Sequence, residues 1–265
     1  MALFMGVDIG SDMSKGVITR ESELLAFHVI SSGVDYRSTA QKLREELLAK
    51  AKLSAADIAY TVATGQGSAF VPFSNEVIDD IRCSARGINS FYPSVRTVID
   101  VGDQSSRVIR VNSEGQITNF VMNERCATGS GQFLKIIAHV LRVDLNDIGH
   151  LSSLAQNPVT LTTGCAVFGE SEVVSRLSEG VSKEDILAGV HKSLAKKISA
   201  LIDNVVLEHD CAISGGGGLD AGLVKSVEEE LGIHLQVPRY PQVVTALGAA
   251  IMAKELVTRA KGELR

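Results

Sequence analysis

The feature that most constrains the fold is a short pattern that occurs twice along the chain. Asp8-Ile9-Gly10 ends one apolar strand, and Asp100-Val101-Gly102 ends another. A tight turn, a second strand and a third strand follow each segment, and Ser106-Arg107 matches Ser14-Lys15 at the same offset. Strands joined by tight turns pair antiparallel. The sequence therefore predicts an internal duplication, in which each half opens with an antiparallel hairpin and a third strand.

Amphipathic stretches between these strands predict helices, so the fold class is α/β. The predicted helices include Tyr36 to Ala51, Asn75 to Ile88, a helix after Cys126, a helix after Cys165, Ser182 to about Leu207, Asp220 to Leu231, and Thr245 to Val257. On the helix after Cys165, we expect Phe168, Val174 and Leu177 to line the buried side. The small residues of Thr245 to Val257 predict close contact with another helix or a sheet. We expect His139 to be a solvated surface residue and His191 to lie at the surface or its boundary.

Composition and charge narrow the class of partner. The chain has 265 residues, a formal net charge of −5 and a pI near 5.7, without a dense basic stripe. This argues against nucleic acid as the main partner. No apolar run approaches the roughly 20 residues that a membrane span needs, and the first residues do not resemble a signal peptide. We therefore expect a soluble, cytoplasmic protein with no membrane partner.

The two Asp-x-Gly segments have the chemistry of phosphate-binding turns. Glycine lets backbone N–H groups approach a phosphate, and a nearby carboxylate acts through Mg²⁺ or orients an attacking water molecule. One such motif is weak evidence, but here two are followed by a third loop, Gly215 to Gly218. That loop offers a bare backbone on which an adenosine can lie. A flexible turn is the alternative interpretation of the glycines.

The four cysteines include two at predicted helix starts. Cys126 and Cys165 each follow an apolar strand and precede a helix, where the helix dipole favours a thiolate. No Cys-x-x-Cys pair occurs, which argues against a zinc knuckle or a thioredoxin-like site. The alternative is four free thiols, with Cys211 in the core.

The three glycine-containing motifs, in this order, resemble the nucleotide-binding fold shared by actin, Hsp70 and sugar kinases. The resemblance implies two RNase H-like lobes with ATP or ADP and Mg²⁺ in a cleft between them. Thr245 to Val257 resembles the connecting helix that closes this fold. The implied domains are residues 1–96 together with about 240–265, and residues 97–239.

The cysteine motifs resemble a narrower family. Asn123-Glu-Arg-Cys-Ala-Thr-Gly-Ser-Gly-Gln-Phe-Leu134 and Cys165-Ala-Val-Phe-Gly-Glu-Ser-Glu-Val173 are similar to signatures of the 2-hydroxyacyl-CoA dehydratase activators, a family that includes the ATPase subunits of benzoyl-CoA reductases. The resemblance implies a homodimer that holds one 4Fe-4S cluster, with Cys126 and Cys165 of each subunit as ligands. It also implies a ferredoxin or flavodoxin as reductant. An iron–sulfur dehydratase would be the electron acceptor, after ATP has driven a conformational change.

The resemblance also assigns roles to individual residues. The catalytic residues would be Asp8, Asp100 and Gln104. The nucleotide-binding residues would be Gly10, Ser11, Asp12, Ser14, Lys15, Gly102, Asp103, Glu170, Gly215, Gly216, Gly217 and Gly218. Glu172 also matches a family position, and a solvated first helical turn is the alternative interpretation of both glutamates.

Three positions depart from the family pattern. Asp12 stands where a threonine is usual, and a carboxylate there would repel phosphate. Gly102-Asp103-Gln104-Ser105 replaces the usual Gly-Gly-Gln-Asp, so the acidic side chain has moved by two positions. Ser84 replaces a histidine beside Cys83. These departures predict slow or altered ATP hydrolysis.

Two other functions are compatible with the same fold. One is a small-molecule kinase of the amino-sugar type, although the sequence does not single out a carboxylate base for a substrate hydroxyl. The other is a nucleotide sensor that does not hydrolyse ATP, which the departures favour. Iron content and ATP turnover distinguish the three functions.

Overall fold

The computed structural model describes residues 2–123, 129–162 and 166–263, which form two compact units. One unit comprises Met1–Ser94, Asn112–Ile117 and Gln242–Arg265, and the other comprises Val95–Val111 and Thr118–Pro241. Each unit is organised around a five-stranded sheet. Among the described residues, none of the helices combines the length and the apolar character needed to cross a membrane. Cys126 and Cys165 lie outside the described residues.

The described residues of the first unit form five strands and three α-helices. They are β1 (Leu3–Ile9), β2 (Met13–Arg20), β3 (Glu23–Ser31), α1 (Tyr36–Ala51), β4 (Ile58–Thr64), β5 (Glu76–Val77), α2 (Asp80–Phe91) and α8 (Val244–Glu263). The strand order is β3-β2-β1-β4-β5, with β1 antiparallel to β2 and parallel to β4. The central strand β1 is buried along its whole length, as expected for an apolar run covered on both faces.

Helix α8 packs against α2 and β1 through glycines. A Cβ atom added at Gly248 would overlap the backbone oxygen of Cys83, and one added at Gly6 would overlap the backbone oxygen of Ala246. A Cβ atom at Gly87 would overlap the backbone oxygen of Val244. The backbones therefore touch with no side chain between them, which confirms the close contact predicted for this small-residue helix.

The second unit contains the remaining elements. They are β6 (Thr97–Val101), β7 (Ser106–Val111), β8 (Ile117–Met122), α3 (Gly131–Leu141), α4 (Ile148–Ser153), α5 (Ala166–Ser178), α6 (Lys183–Ile202), β9 (Cys211–Ser214), α7 (Ala221–Leu231) and β10 (Leu235–Gln236). The strand order is β10-β9-β6-β7-β8, with β6 antiparallel to β7 and parallel to β9. Helices α3, α5, α6 and α7 contribute side chains to one apolar core.

The two sheets are copies of one arrangement. Each has a central strand that pairs antiparallel with the next strand and parallel with a later one. The register also repeats, because Asp8 lies opposite Lys15 as Asp100 lies opposite Arg107. The prediction of a duplicated α/β fold is confirmed.

Several local predictions were wrong, among them the end of α6, which lies at Ile202 rather than near Leu207. On α5, Phe168, Val174 and Leu177 are 67%, 51% and 37% exposed, so this face is not the buried one. The helix predicted from Asn75 begins only at Asp80, because residues 76–77 pair with β4 and the Asp79 side chain caps the helix. His191 is fully buried rather than at the surface or its boundary. His139, by contrast, is exposed as expected.

Candidate functional site

The first hairpin places a carboxylate and an ammonium group at the carboxyl end of β1. Lys15 Nζ donates to Asp8 Oδ2 at 3.0 Å, and the two side chains are 18% and 10% exposed. Gly65, which follows β4, has φ +83°, and a Cβ atom there would overlap Asp8 Oδ1. Glycine is therefore required beside this carboxylate. The carboxyl ends of adjacent parallel strands are the usual place for ligands in open α/β sheets.

The turn between β1 and β2 carries Gly10, Ser11 and Asp12, all partly exposed. A Cβ atom at Gly10 would lie 2.6 Å from the backbone oxygen of Met13, so the turn needs glycine here. Ser14, another predicted binding residue, is fully buried, and its Oγ lies 2.8 Å from Ser32 Oγ. Ser14 therefore stabilises the turn from its buried side, whereas Ser11 and Asp12 are partly accessible to solvent.

The second hairpin repeats this geometry around Asp100. Ser214 Oγ donates to Asp100 Oδ1 at 3.1 Å. Gly215 has φ +78°, and a Cβ atom there would lie 2.8 Å from Asp100 Oδ1. Gly215 thus lies against the carboxylate of Asp100 in the same way that Gly65 lies against the carboxylate of Asp8. Gly102 N donates to Ser105 O at 2.9 Å, which closes the turn, and Gln104 is exposed on it.

Asp103, one of the departures from the family pattern, has a partner on helix α3. Lys135 Nζ donates to Asp103 Oδ1 at 2.8 Å, and the side chains are 35% and 21% exposed. The acidic side chain of this turn therefore contacts the helix that follows the Cys126 segment. An exposed ion pair of this kind contributes at most about 1 kcal/mol to stability.

Main-chain hydrogen bonds hold both ends of the glycine loop Gly215–Gly218, and no other described atom lies close to the side-chain position of its middle residue, Gly216. Gly215 N donates to Pro241 O at 3.0 Å, and Asp220 N donates to Gly217 O at 3.2 Å. A Cβ atom at Gly217 would lie 2.5 Å from Val101 Cβ, whereas one at Gly216 would have no atom within 4 Å. The backbone face at Gly216 is therefore open to a flat ligand group.

His191 is a residue near this loop that the sequence analysis missed. Its Nε2 lies 2.8 Å from Asp220 Oδ2. The other oxygen of Asp220 accepts from Gly222 N at 2.9 Å and from Leu223 N at 3.2 Å, which caps α7. A Cβ atom at Gly222 would meet His191 Nδ1 at 2.7 Å, so the three helices α4, α6 and α7 pack closely here. His191 thus fixes the residue that ends the glycine loop.

The two cysteine segments are flanked by described residues with defined contacts. Ser130 is the N-cap residue of α3, and α5 begins at Ala166. The carboxylate of Glu172 on α5 accepts from Thr162 N at 3.1 Å, so it holds the chain just before the Cys165 segment. Glu170 is exposed on α5. In the sequence, Cys165 immediately precedes α5, and Cys126 is four residues before the N-cap residue of α3.

The other two thiols are buried and differ in chemistry from a ligand thiolate. Burial raises the pKa of Cys83 to about 12 and that of Cys211 to about 11, with no compensating charge. At pH 8 we expect folded protein to show slow iodoacetamide modification at both, since the Cys83 thiolate is reduced about a thousandfold relative to a pKa of 9. Peptide mass spectrometry over time measures this. Modification of Cys83 as fast as that of a free thiol would contradict it.

Comparison with known proteins finds relatives that are named as dehydratase activators. The chain is 38% identical over 262 residues to the 2-hydroxyisocaproyl-CoA dehydratase activator of Clostridioides difficile, covering 98% of each chain. It is 36% identical over 251 residues to the (R)-2-hydroxyglutaryl-CoA dehydratase activating ATPase of Acidaminococcus fermentans, covering 94% of this chain and 96% of that one.

Solved structures give the same result. The activator of the 2-hydroxyisocaproyl-CoA dehydratase from Clostridium difficile with bound ADPNP superposes with a TM-score of 0.94 at 36% identity, covering 99% of this chain and 98% of that one. A ROK family glucokinase from Streptomyces griseus, at 12% identity and a TM-score of 0.58, shares the fold. The resemblance inferred from the sequence is thereby confirmed.

The sequence profile of one family covers residues 5–253, which is most of the chain. It includes both Asp-x-Gly hairpins, the glycine loop and both cysteine segments. The chain is therefore an ATPase that belongs to the BadF/BadG/BcrA/BcrD ATPase family.

Proposed function

We propose that this protein is an ATP-dependent one-electron donor that activates an iron–sulfur 2-hydroxyacyl-CoA dehydratase or a related acyl-CoA reductase. The observation that carries the proposal is a direct connection between a phosphate hairpin and the helix after Cys126. Gly131 N donates to Gly102 O at 2.9 Å, and Gln132 N donates to Asp103 O at 2.9 Å. A change at the hairpin on nucleotide binding would therefore reach the start of α3 through these main-chain hydrogen bonds.

The nucleotide part of the proposal rests on the two hairpins and the glycine loop. Asp8 and Asp100 are the acidic groups that would act through Mg²⁺ or orient water, and Lys15 would neutralise phosphate charge. Ser11 and the main-chain N–H of Gly10 would contact phosphate oxygens, whereas the Gly102 N–H closes its own turn by donating to Ser105 O. The open face at Gly216 fits an adenosine, since no side chain covers it. Gln104 is exposed and available to orient water.

The electron-carrying part of the proposal rests on Cys126 and Cys165. Two cysteines in each subunit of a homodimer supply the four thiolates that a 4Fe-4S cluster requires. Bound there, the cluster would supply one-electron redox chemistry. The starts of α3 and α5 would favour the added negative charge on reduction. A ferredoxin or flavodoxin would be the reductant, and the relatives' names support a dehydratase component as the partner.

The test is anaerobic purification followed by iron and sulfide analysis and a visible spectrum. We expect about four irons per dimer, and we expect Cys126→Ser and Cys165→Ser each to lose all of them. Cys211→Ala is the matched control, because it also removes a thiol, and it should keep the iron.

A colourless protein that stays free of iron after reconstitution would overturn the electron-donor proposal. The remaining functions would then be separated by ATP turnover. Turnover that depends on an added sugar or amino sugar would indicate the kinase. The absence of any turnover would indicate the nucleotide sensor.

A further inference from the structure

Asp220 lies where the glycine loop ends and helix α7 begins, and it holds both elements. Its main-chain N–H donates to Gly217 O at 3.2 Å, inside the loop. One oxygen of its carboxylate, Oδ1, accepts from Gly222 N and Leu223 N and so caps α7. The position of Asp220 therefore determines how the chain passes from the glycine loop into the helix.

The second carboxylate oxygen of Asp220 is held by a buried histidine. His191 Nε2 lies 2.8 Å from Asp220 Oδ2, and the two side chains are 0% and 10% exposed. Because a carboxylate only accepts hydrogen bonds, His191 Nε2 is the donor. His191 Nδ1 is buried and has no hydrogen-bond partner among the described residues. Within that part of the chain, the ring of His191 is therefore oriented by one hydrogen bond, which is directed at the end of the glycine loop.

Close packing leaves the His191–Asp220 pair little room to move. A Cβ atom added at Gly222 would lie 2.7 Å from His191 Nδ1 and would overlap Ser152 Oγ. A Cβ atom added at Gly149 would lie 2.6 Å from Asp220 Oδ1. Helices α4 and α7 thus approach the pair through glycines, with no side chain between, so the pair is fixed by packing as well as by its hydrogen bond.

At the matching place in the first unit, the capping carboxylate lies at the surface. Gly65 follows β4 as Gly215 follows β9, and the next helix, α2, is capped by Asp79. The Asp79 side chain is 51% exposed and pairs with Arg82, one turn along the same helix. The connection takes residues 66–78 in the first unit and residues 216–219 in the second. A displaced cap would therefore move the loop directly in the second unit, where the connection is short.

We propose that His191 is a positioning residue for nucleotide binding, which acts through Asp220 to hold the glycine loop in the conformation that receives the adenosine at Gly216. The inference rests on the proposed function only in taking this loop as the adenosine site. His191 does not contact the nucleotide in this assignment. Without its hydrogen bond, the loop would occupy the binding conformation for a smaller fraction of the time. The apparent affinity for nucleotide falls by that fraction.

The experiment measures KM and kcat of ATP turnover, and the Kd of ADP by calorimetry, in full-length wild type, His191→Leu and His191→Gln. Leucine removes the donor and keeps apolar bulk, whereas glutamine can still donate from its side-chain amide. Ile198→Ala is the matched control, because Ile198 is also fully buried on α6, about 10 Å farther along the helix. Thermal unfolding of each variant shows whether the stability losses are comparable.

We expect His191→Leu to raise both KM for ATP and the Kd of ADP about three- to tenfold, the range for losing one buried hydrogen bond, with kcat unchanged. His191→Gln should restore both constants. A general loss of folded protein would instead lower kcat and leave KM unchanged, which is the result we expect for Ile198→Ala. Asp220→Ser keeps a capping residue but is too short to reach His191. It should give the same rise, and it replaces His191→Leu if that variant does not fold.

Unchanged KM and Kd in His191→Leu or Asp220→Ser would overturn the proposal, as would an equal rise in Ile198→Ala. Gly216→Leu separates this result from a failure of the adenosine site, because a side chain at Gly216 would cover the open main chain and raise both constants. A response to Gly216→Leu alone would keep the adenosine site and remove the positioning role, and no response to either would remove both. The iron content of wild type tests the electron-donor role independently of these variants.

Discussion

Replacing Asp8 by asparagine is expected to lower ATP turnover by a factor on the order of one hundred or more. The carboxylate lies at the carboxyl end of β1, paired with Lys15, where the proposed Mg²⁺–phosphate group would bind. Asparagine keeps the size of the side chain and removes its charge. We therefore expect the substitution to slow ATP hydrolysis and to have little effect on folding. Steady-state ATP turnover, measured with a separate titration of nucleotide affinity, checks the prediction.

Asp57→Asn is the matched control for this change. Asp57 precedes β4 at the end of the sheet opposite Gly65, and its carboxylate accepts local hydrogen bonds from Ser54 N and Ser54 Oγ. It should therefore leave turnover unchanged. Equal turnover in Asp8→Asn and wild type would remove Asp8 from the catalytic residues and shift the assignment towards Asp100.

Replacing Gly248 by alanine is expected to destabilise the first unit by about 3 kcal/mol, at the upper end for overpacking. The added methyl group would overlap the backbone oxygen of Cys83 and lie 2.8 Å from Gly87 N. Both obstacles are backbone atoms, so no side chain can rotate away, and α8 must move from α2. The midpoint of urea unfolding, followed by circular dichroism, measures the loss.

Gly262→Ala tests whether the loss comes from the overlap rather than from the helix. Gly262 lies on the same helix, and a Cβ atom there would have no atom within 4 Å. Alanine should leave stability unchanged or raise it by up to about 1 kcal/mol, because alanine favours the helix. If the two variants unfolded at the same urea concentration, the close α2–α8 contact could not be what holds this helix in place.

The strands and helices that could be predicted from the sequence carry strong local signals. Leu3–Val7 is an uninterrupted apolar run because the strand is covered on both faces. Tyr36–Ala51 begins after Asp35, whose carboxylate accepts from Arg37 N and Ser38 N, and it ends at Lys52 in the left-handed conformation. The duplicated hairpins were predicted because their turns require glycine beside a carboxylate.

The features that could not be predicted depend on partners that are distant in sequence. His191 is buried because Asp220, 29 residues later, accepts its hydrogen bond, and no local pattern shows this pairing. Strands β5 and β10 have two residues each, too few for any periodicity. The face of α5 with Phe168 is apolar by its spacing, but amphipathic spacing does not say whether another element covers it.

The stretch of chain between β3 and α1 is shorter than the stretch between β8 and α3. Ser14 contacts Ser32 just after β3, and Ser106 contacts Asn123 just after β8, so a serine at the same position holds each hairpin although the connections that follow differ in length. A longer connection adds little to the cost of folding, since doubling a loop costs only about 0.6 kcal/mol. Under the proposed function, we expect substitutions within residues 124–130 to change the iron content of the protein while nucleotide binding by the hairpins is retained.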